Sequence, residues 1–147
     1  MGVGGGRVLV TYRGATVKAA FSLTGPGNTI QTPYGKYPGF TKQLINDFDR
    51  ANEKAWLVGL AYDFKTVGLP GLTASLEYSQ GTAAINPQTR APAPNEREVD
   101  LNRSYRFLEG RFRGRSFDWE WGFLKYTNSG QLGQQLRLIL NHEFHLL

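Results

Sequence analysis

The stretch Trp56 to Gly81 constrains this chain most. Two runs of alternating residues flank a turn that carries Gly68, Pro70 and Gly71. On the first run Trp56, Val58, Leu60, Tyr62 and Phe64 share one face, against Ala55, Leu57, Gly59, Ala61 and Asp63. On the second, Leu72, Ala74, Leu76 and Tyr78 oppose Thr73, Ser75, Glu77 and Ser79. A period of two belongs to a strand, and the Gly-Pro punctuation makes the pair a hairpin. Its apolar face needs a cover, which is either a second sheet or lipid.

The same alternation runs through the chain. Strands are predicted at about 7–13, 15–23, 55–64, 72–80, 97–108, 115–127 and 134–147. The long connections, about 24–54 and 81–96, are rich in Gly and Pro, and Gln43 to Arg50 reads as one or two helical turns. The fold class is therefore all-β, an antiparallel up-and-down meander of about seven strands. Connections alternate between short and long, as in outer-membrane barrels with short periplasmic turns and long external loops. Aromatic residues gather toward strand ends. Tyr12, Trp56, Tyr62, Phe64, Tyr78, Tyr105 and Phe107 suit interfacial girdles, and Trp119 and Trp121 share their outward face.

Composition removes several function classes. The 147 residues include no cysteine, which leaves neither a disulfide framework nor a thiolate metal site. His142 and His145 lie three apart on a strand, so they point to opposite faces and do not chelate together. No Gly-x-Ser-x-Gly elbow is present, and Gly2 to Gly6 lacks the Gly-Lys-Ser/Thr of a phosphate loop. The pairs Glu98/Asp100 and Asp118/Glu120 read as a solvated ladder rather than a glycosidase pair. No catalytic residue, metal or cofactor is expected. Nucleic acid would want basic and aromatic residues on one face, and here they alternate across the strands.

Three features carry a family resemblance. The first is the run Asn46-Asp47-Phe48-Asp49-Arg50-Ala51-Asn52-Glu53-Lys54-Ala55-Trp56. The second is Ala61-Tyr62-Asp63-Phe64 followed by Val67-Gly68-Leu69-Pro70-Gly71-Leu72. The third is Glu98-Val99-Asp100-Leu101 with the closing Leu136-Arg137-Leu138-Ile139-Leu140-Asn141. On these the chain resembles the C-terminal portion of the OprD family of outer-membrane porins. The resemblance implies a portion of a transmembrane barrel of about 18 strands. It implies passive passage of small hydrophilic solutes, amino acids and small carboxylates among them. The implied partners are outer-membrane lipid, the solutes and the remaining N-terminal strands, and the pattern is compatible with an oligomer. Location in the bacterial outer membrane follows. Because Met1 to Gly6 does not read as a signal peptide, Met1 is expected not to be the biological start.

With the Trp56/Tyr62 face outward, the channel-lining basic candidates are Arg7, Arg13, Lys18, Arg106 and Arg137. The acidic candidates are Asp63, Glu77, Glu98, Asp100, Asp118, Glu120 and Glu143. By this count the channel face is mildly acidic, and the net charge of +5 resides mainly in loops, turns and strand ends. Family members carry inward basic residues on the strand before the last; Asp118 and Glu120 stand there in this chain. Arg103 falls on the outward row, where an apolar residue is usual. The alternative to the porin is a soluble antiparallel β-sheet protein that binds a ligand or partner.

Overall fold

The computed structural model describes residues 3–27, 41–127 and 130–142. Seven strands follow in chain order: β1 Val3–Tyr12, β2 Ala15–Thr24, β3 Lys54–Asp63, β4 Leu72–Thr82, β5 Glu96–Arg106, β6 Arg115–Tyr126 and β7 Leu132–His142. Each pairs antiparallel with its sequence neighbour, in the order β1-β2-β3-β4-β5-β6-β7. The expected meander is the observed one.

Register explains the two faces. One row crosses all seven strands as Val10, Val17, Leu60, Leu76, Leu101, Trp121 and Leu136. The row beside it reads Leu9, Lys18, Gly59, Glu77, Asp100, Gly122 and Gln135. A slip of one residue in any pairing would mix these rows, so the pattern pins the register. Among the described residues nothing covers the apolar face: Val10 is 61 % exposed and Leu138 61 %.

Local chemistry sets the ends. Arg13 and Gly14 join β1 to β2 with φ of 45° and 84°, two left-handed residues in a two-residue hairpin turn. The β3–β4 and β5–β6 connections contain short 3-10 turns, Phe64–Val67 and Gly110–Phe112. These three connections lie at one end of the sheet, and the 127–131 connection between β6 and β7 lies at the other. With it lie the segment after Thr24 and the 83–95 connection, itself closed by an Ile85–Pro92 bridge.

Two elements differ from the sequence reading. β1 begins at Val3, ahead of the predicted start at residue 7, and runs through Gly4 to Gly6. Gly6 sits opposite Phe21, where a Cβ would stand 3.0 Å from the ring, so the missing side chain makes room for it. No helical turn forms over Gln43 to Arg50. Its backbone is extended and bent, and Leu44, Ile45 and Asn46 donate their amides to carboxyl groups of the sheet instead of to carbonyls one turn back. Residues 143–147, and with them the predicted end of the last strand, lie outside the described residues, as do 28–40 of the first long connection.

The buried core is small and lies on the polar face. Ala20, Ala55, Leu57 and Leu124 of the sheet are buried there, with Phe48 and Ala51 of the 41–53 segment and Ala84 of the 83–95 connection.

Candidate channel wall and its inward segment

Residues 41–53 fold back across the polar face. Thr41 Oγ1 lies 2.7 Å from Ser22 Oγ, and Gln43 Nε2 donates to Ser79 Oγ at 2.6 Å. Leu44 N donates to Asp100 Oδ2 at 2.7 Å. Ile45 N and Asn46 N donate to the two oxygens of Glu98, at 2.6 and 2.9 Å. Glu98 is 0 % and Asp100 3 % exposed.

Further along, Arg50 holds two buried acids. Its NH2 donates to Glu53 Oε1 at 2.7 Å, and its Nε lies 3.2 Å from Glu96 Oε1. Its NH1 reaches Pro94 O at 2.8 Å, and Ile85 N donates to Ala51 O at 2.9 Å, so the segment is also tied to the 83–95 connection. Phe48 holds a left-handed φ of 52°, uncommon for an aromatic residue, and is 1 % exposed. Half-burial, and after it the charge of Asp47, raise the pKa of Asp49 from its ordinary value.

Glycines make this approach fit. A Cβ on Gly122 would stand 2.8 Å from Asp100 Oδ1, 3.0 Å from Leu44 Cδ2 and 3.1 Å from Ile45 Cγ1. A Cβ on Gly81 would stand 2.9 Å from Phe48 Cδ1 and would overlap Glu53 Oε1.

The expected channel-lining residues divide accordingly. Glu98 and Asp100 are on the predicted face but are covered; they anchor the segment instead of meeting a solute. Arg13 stands in the β1–β2 turn, its guanidinium 5.3 Å from the Tyr12 ring, and so lies off the polar face of the strands. Asp63 ends β3 and caps the following turn, accepting from Lys65 N at 2.9 Å. Lys18 Nζ pairs with Glu77 Oε1 at 2.5 Å. Arg137 donates to Leu44 O at 3.2 Å and lies 4.0 Å from Glu120, so it too straps the segment. Asp118 bonds to Ser104 Oγ and accepts from Asn141 Nδ2 at 2.8 Å. Arg7 is exposed on the polar face. Arg106 shares a row with Ser116 and Asn141, four residues along and two strands across from Arg137, roughly 16 Å away. Glu143 lies outside the described residues.

Sequence reasoning missed Arg50, Glu53 and Glu96 as a buried cluster. The signal was present: Glu96, Glu98 and Asp100 alternate on one strand, and the glycines Gly81 and Gly122 pair with Glu96 and Asp100.

The outward aromatics form two bands. Tyr12, Tyr62 and Trp119 share one row, with Tyr105 and Phe117 on the next toward the short-turn end. Phe64 and Phe107 lie beyond their strands, each 4.9 Å from its neighbour Tyr62 or Tyr105. The second band holds Phe21, Trp56, Tyr78 and Phe123, with Trp56 and Tyr78 5.3 Å apart. Six residues separate Tyr62 from Trp56, about 20 Å of strand. With tilt and band width this is comparable to the apolar belt of an outer-membrane barrel, about 25 Å tall. Trp121 lies between the bands. Arg103 occupies the Tyr62 row, as its outward parity required. At that level an arginine costs about 0–1 kcal/mol instead of the 2–4 of the midplane.

The fold matches solved porins. Crystal structures from Pseudomonas aeruginosa include OccK9 (OpdG), with a TM-score of 0.84 and 23% identity over 94% of this chain and 35% of that one. OccK8 (OprE) matches with a TM-score of 0.80 and 27% identity over 95% of this chain and 35% of that one. OpdK, solved with vanillate, matches with a TM-score of 0.83 and 21% identity over 94% of this chain and 37% of that one. The chain thus spans little more than a third of the length of these structures. No match was found among curated proteins. Residues 3–146 match the family model described as outer membrane porin, OprD family, and the chain belongs to that family.

Proposed function

We propose that this chain forms part of the wall of a passive channel in the bacterial outer membrane, through which small hydrophilic solutes diffuse. In this reading it is the C-terminal part of a barrel of about 18 strands, the others being supplied by preceding sequence. The short turns face the periplasm, and the connections at about 24–54 and 81–96 lie outside. One observation carries the reading: the apolar face is bare on every strand, while the polar face is narrowed by a segment that Glu98 and Asp100 hold. A lipid-facing wall with an inward constriction has these two properties together.

The solutes are amino acids and small carboxylates. Vanillate, present in the OpdK structure, is an aromatic carboxylate. Once Glu98 and Asp100 are covered and Arg13 is placed in its turn, the wall offers Arg7, Lys18, Arg106 and Arg137 against Asp63, Glu77, Asp118 and Glu120. That balance, and the separation of Arg106 from Arg137, supports weak charge selection from this part of the wall. The barrel containing this chain, reconstituted in planar bilayers, should give discrete conductance steps. Swelling of loaded liposomes should follow with amino acids and with vanillate. Absence of both overturns the channel.

A further inference from the structure

The outward face carries one feature that the channel does not use. Arg103 on β5 faces away from the polar side, three residues from the short-turn end of its strand. It makes no hydrogen bond or ion pair among the described residues. Its row neighbours are Ala74 and Trp119, and the next pair toward the strand end is Tyr105 and Phe117. Arg103, Tyr105, Phe117 and Trp119 line a depression of about 410 Å³ open to the outside. The small side chain of Ala74 leaves the flank of Arg103 open.

We propose that this depression binds the phosphate headgroup of a phospholipid in the leaflet at the short-turn end. The inference rests on the outer-membrane reading above. A guanidinium is a planar fork matched to phosphate oxygens. Its depth is that of the aromatic girdle, where headgroups meet acyl chains. Trp119 beside Arg103, and Trp121 two residues nearer the midplane, give the glycerol and upper chain an apolar bed, so the cation and the apolar surface face one amphipathic partner. Water alone would satisfy the guanidinium but not the rings, and acyl chains alone the rings but not the guanidinium. A phospholipid satisfies both.

The test uses the intact barrel, delipidated in mild detergent and titrated with phosphatidylglycerol under native mass spectrometry. The wild type should retain one lipid through desolvation. Arg103→Gln should weaken retention about fivefold, the worth of one basic residue at a membrane surface. Arg103→Lys, which keeps the charge and loses the fork, should fall between. Conductance and heat-dependent gel migration should be unchanged in both variants, since Arg103 lies off the channel wall. Equal retention by Arg103→Gln, with insertion into vesicles intact, overturns this site and leaves the channel standing. Retention of lipid A in place of phosphatidylglycerol also overturns it. Failure of the wild type to enter phospholipid vesicles overturns the site and the outer-membrane reading together.

Discussion

Glu98 and Asp100 are two acids on one face, and the structure gives them unequal tasks. Glu98 uses both oxygens, one for Ile45 N and one for Asn46 N. Asp100 uses only Oδ2, for Leu44 N, and its Oδ1 has no partner. An amide has one acceptor and one donor group, so the two positions should respond differently to the same change. Glu98→Gln must turn an NH2 toward one loop N–H, which loses a bond and leaves a buried donor opposed. That costs about 2 kcal/mol and should speed exchange of the Ile45 and Asn46 amides roughly thirtyfold. Asp100→Asn can keep its oxygen on Leu44 N and place its NH2 beside the Glu98 carboxylate, so exchange should change by less than about threefold. Hydrogen-exchange mass spectrometry of the peptide covering 44–46, in the detergent-solubilised barrel, separates them. Equal effects of the two substitutions would show that charge, and not acceptor count, holds the segment. Gly122→Val tests the other side of the same contact. Its side chain would enter the space of Leu44 and Ile45, so it should lift the segment and raise exchange even with Glu98 intact.

The 41–53 segment behaves as one element, and Asp49 makes its hold depend on pH. Burial raises the Asp49 pKa in the docked segment above its value when the segment is free. The docked state therefore binds the proton more tightly. Its advantage is full in acid and is lost as pH rises through the raised value. Asp49→Asn should remove that dependence: the segment should be held more firmly near neutrality and match the wild type below about pH 4. Open-channel current noise, recorded across this range, reads the difference; a variant noisier than wild type at neutral pH would contradict it. This element was also the least legible in the sequence. The strands and their faces could be read because water and lipid select side chains at every second position, and that selection leaves a pattern. Backbone amides hold the segment, and an amide leaves no mark on residue type. Leu44, Ile45 and Asn46 thus read as loop or helix, and Glu98 and Asp100 as solvated, since parity says which face a residue is on and not what lies over it. The turn position of Arg13 was missed for a related reason. Alternation was carried one residue past Tyr12, into a turn where φ of 45° ends the strand geometry.

At the scale of the whole sheet, the apolar row from Val10 to Leu136 and the other rows of its face have no partner among the described residues. The described β1 and β7 also each have one unpaired edge. A soluble sandwich would cover such a face with a second sheet; among the described residues the buried apolar cluster lies on the opposite, polar face, around Phe48. Water would thus meet a bare apolar surface across seven strands and two rows of free backbone groups, the combination that drives edge-to-edge and face-to-face association. Expressed by itself in plain buffer, the 147-residue chain should sediment as large assemblies, and detergent should disperse it. Detergent covers the face but not the edges, so dispersed chains should still pair through β1 and β7 until other strands occupy them. Analytical ultracentrifugation with and without detergent measures both steps. A folded monomer in plain buffer would be incompatible with a lipid-facing surface, because nothing on the described chain could then be hiding the Val10–Leu136 row from water.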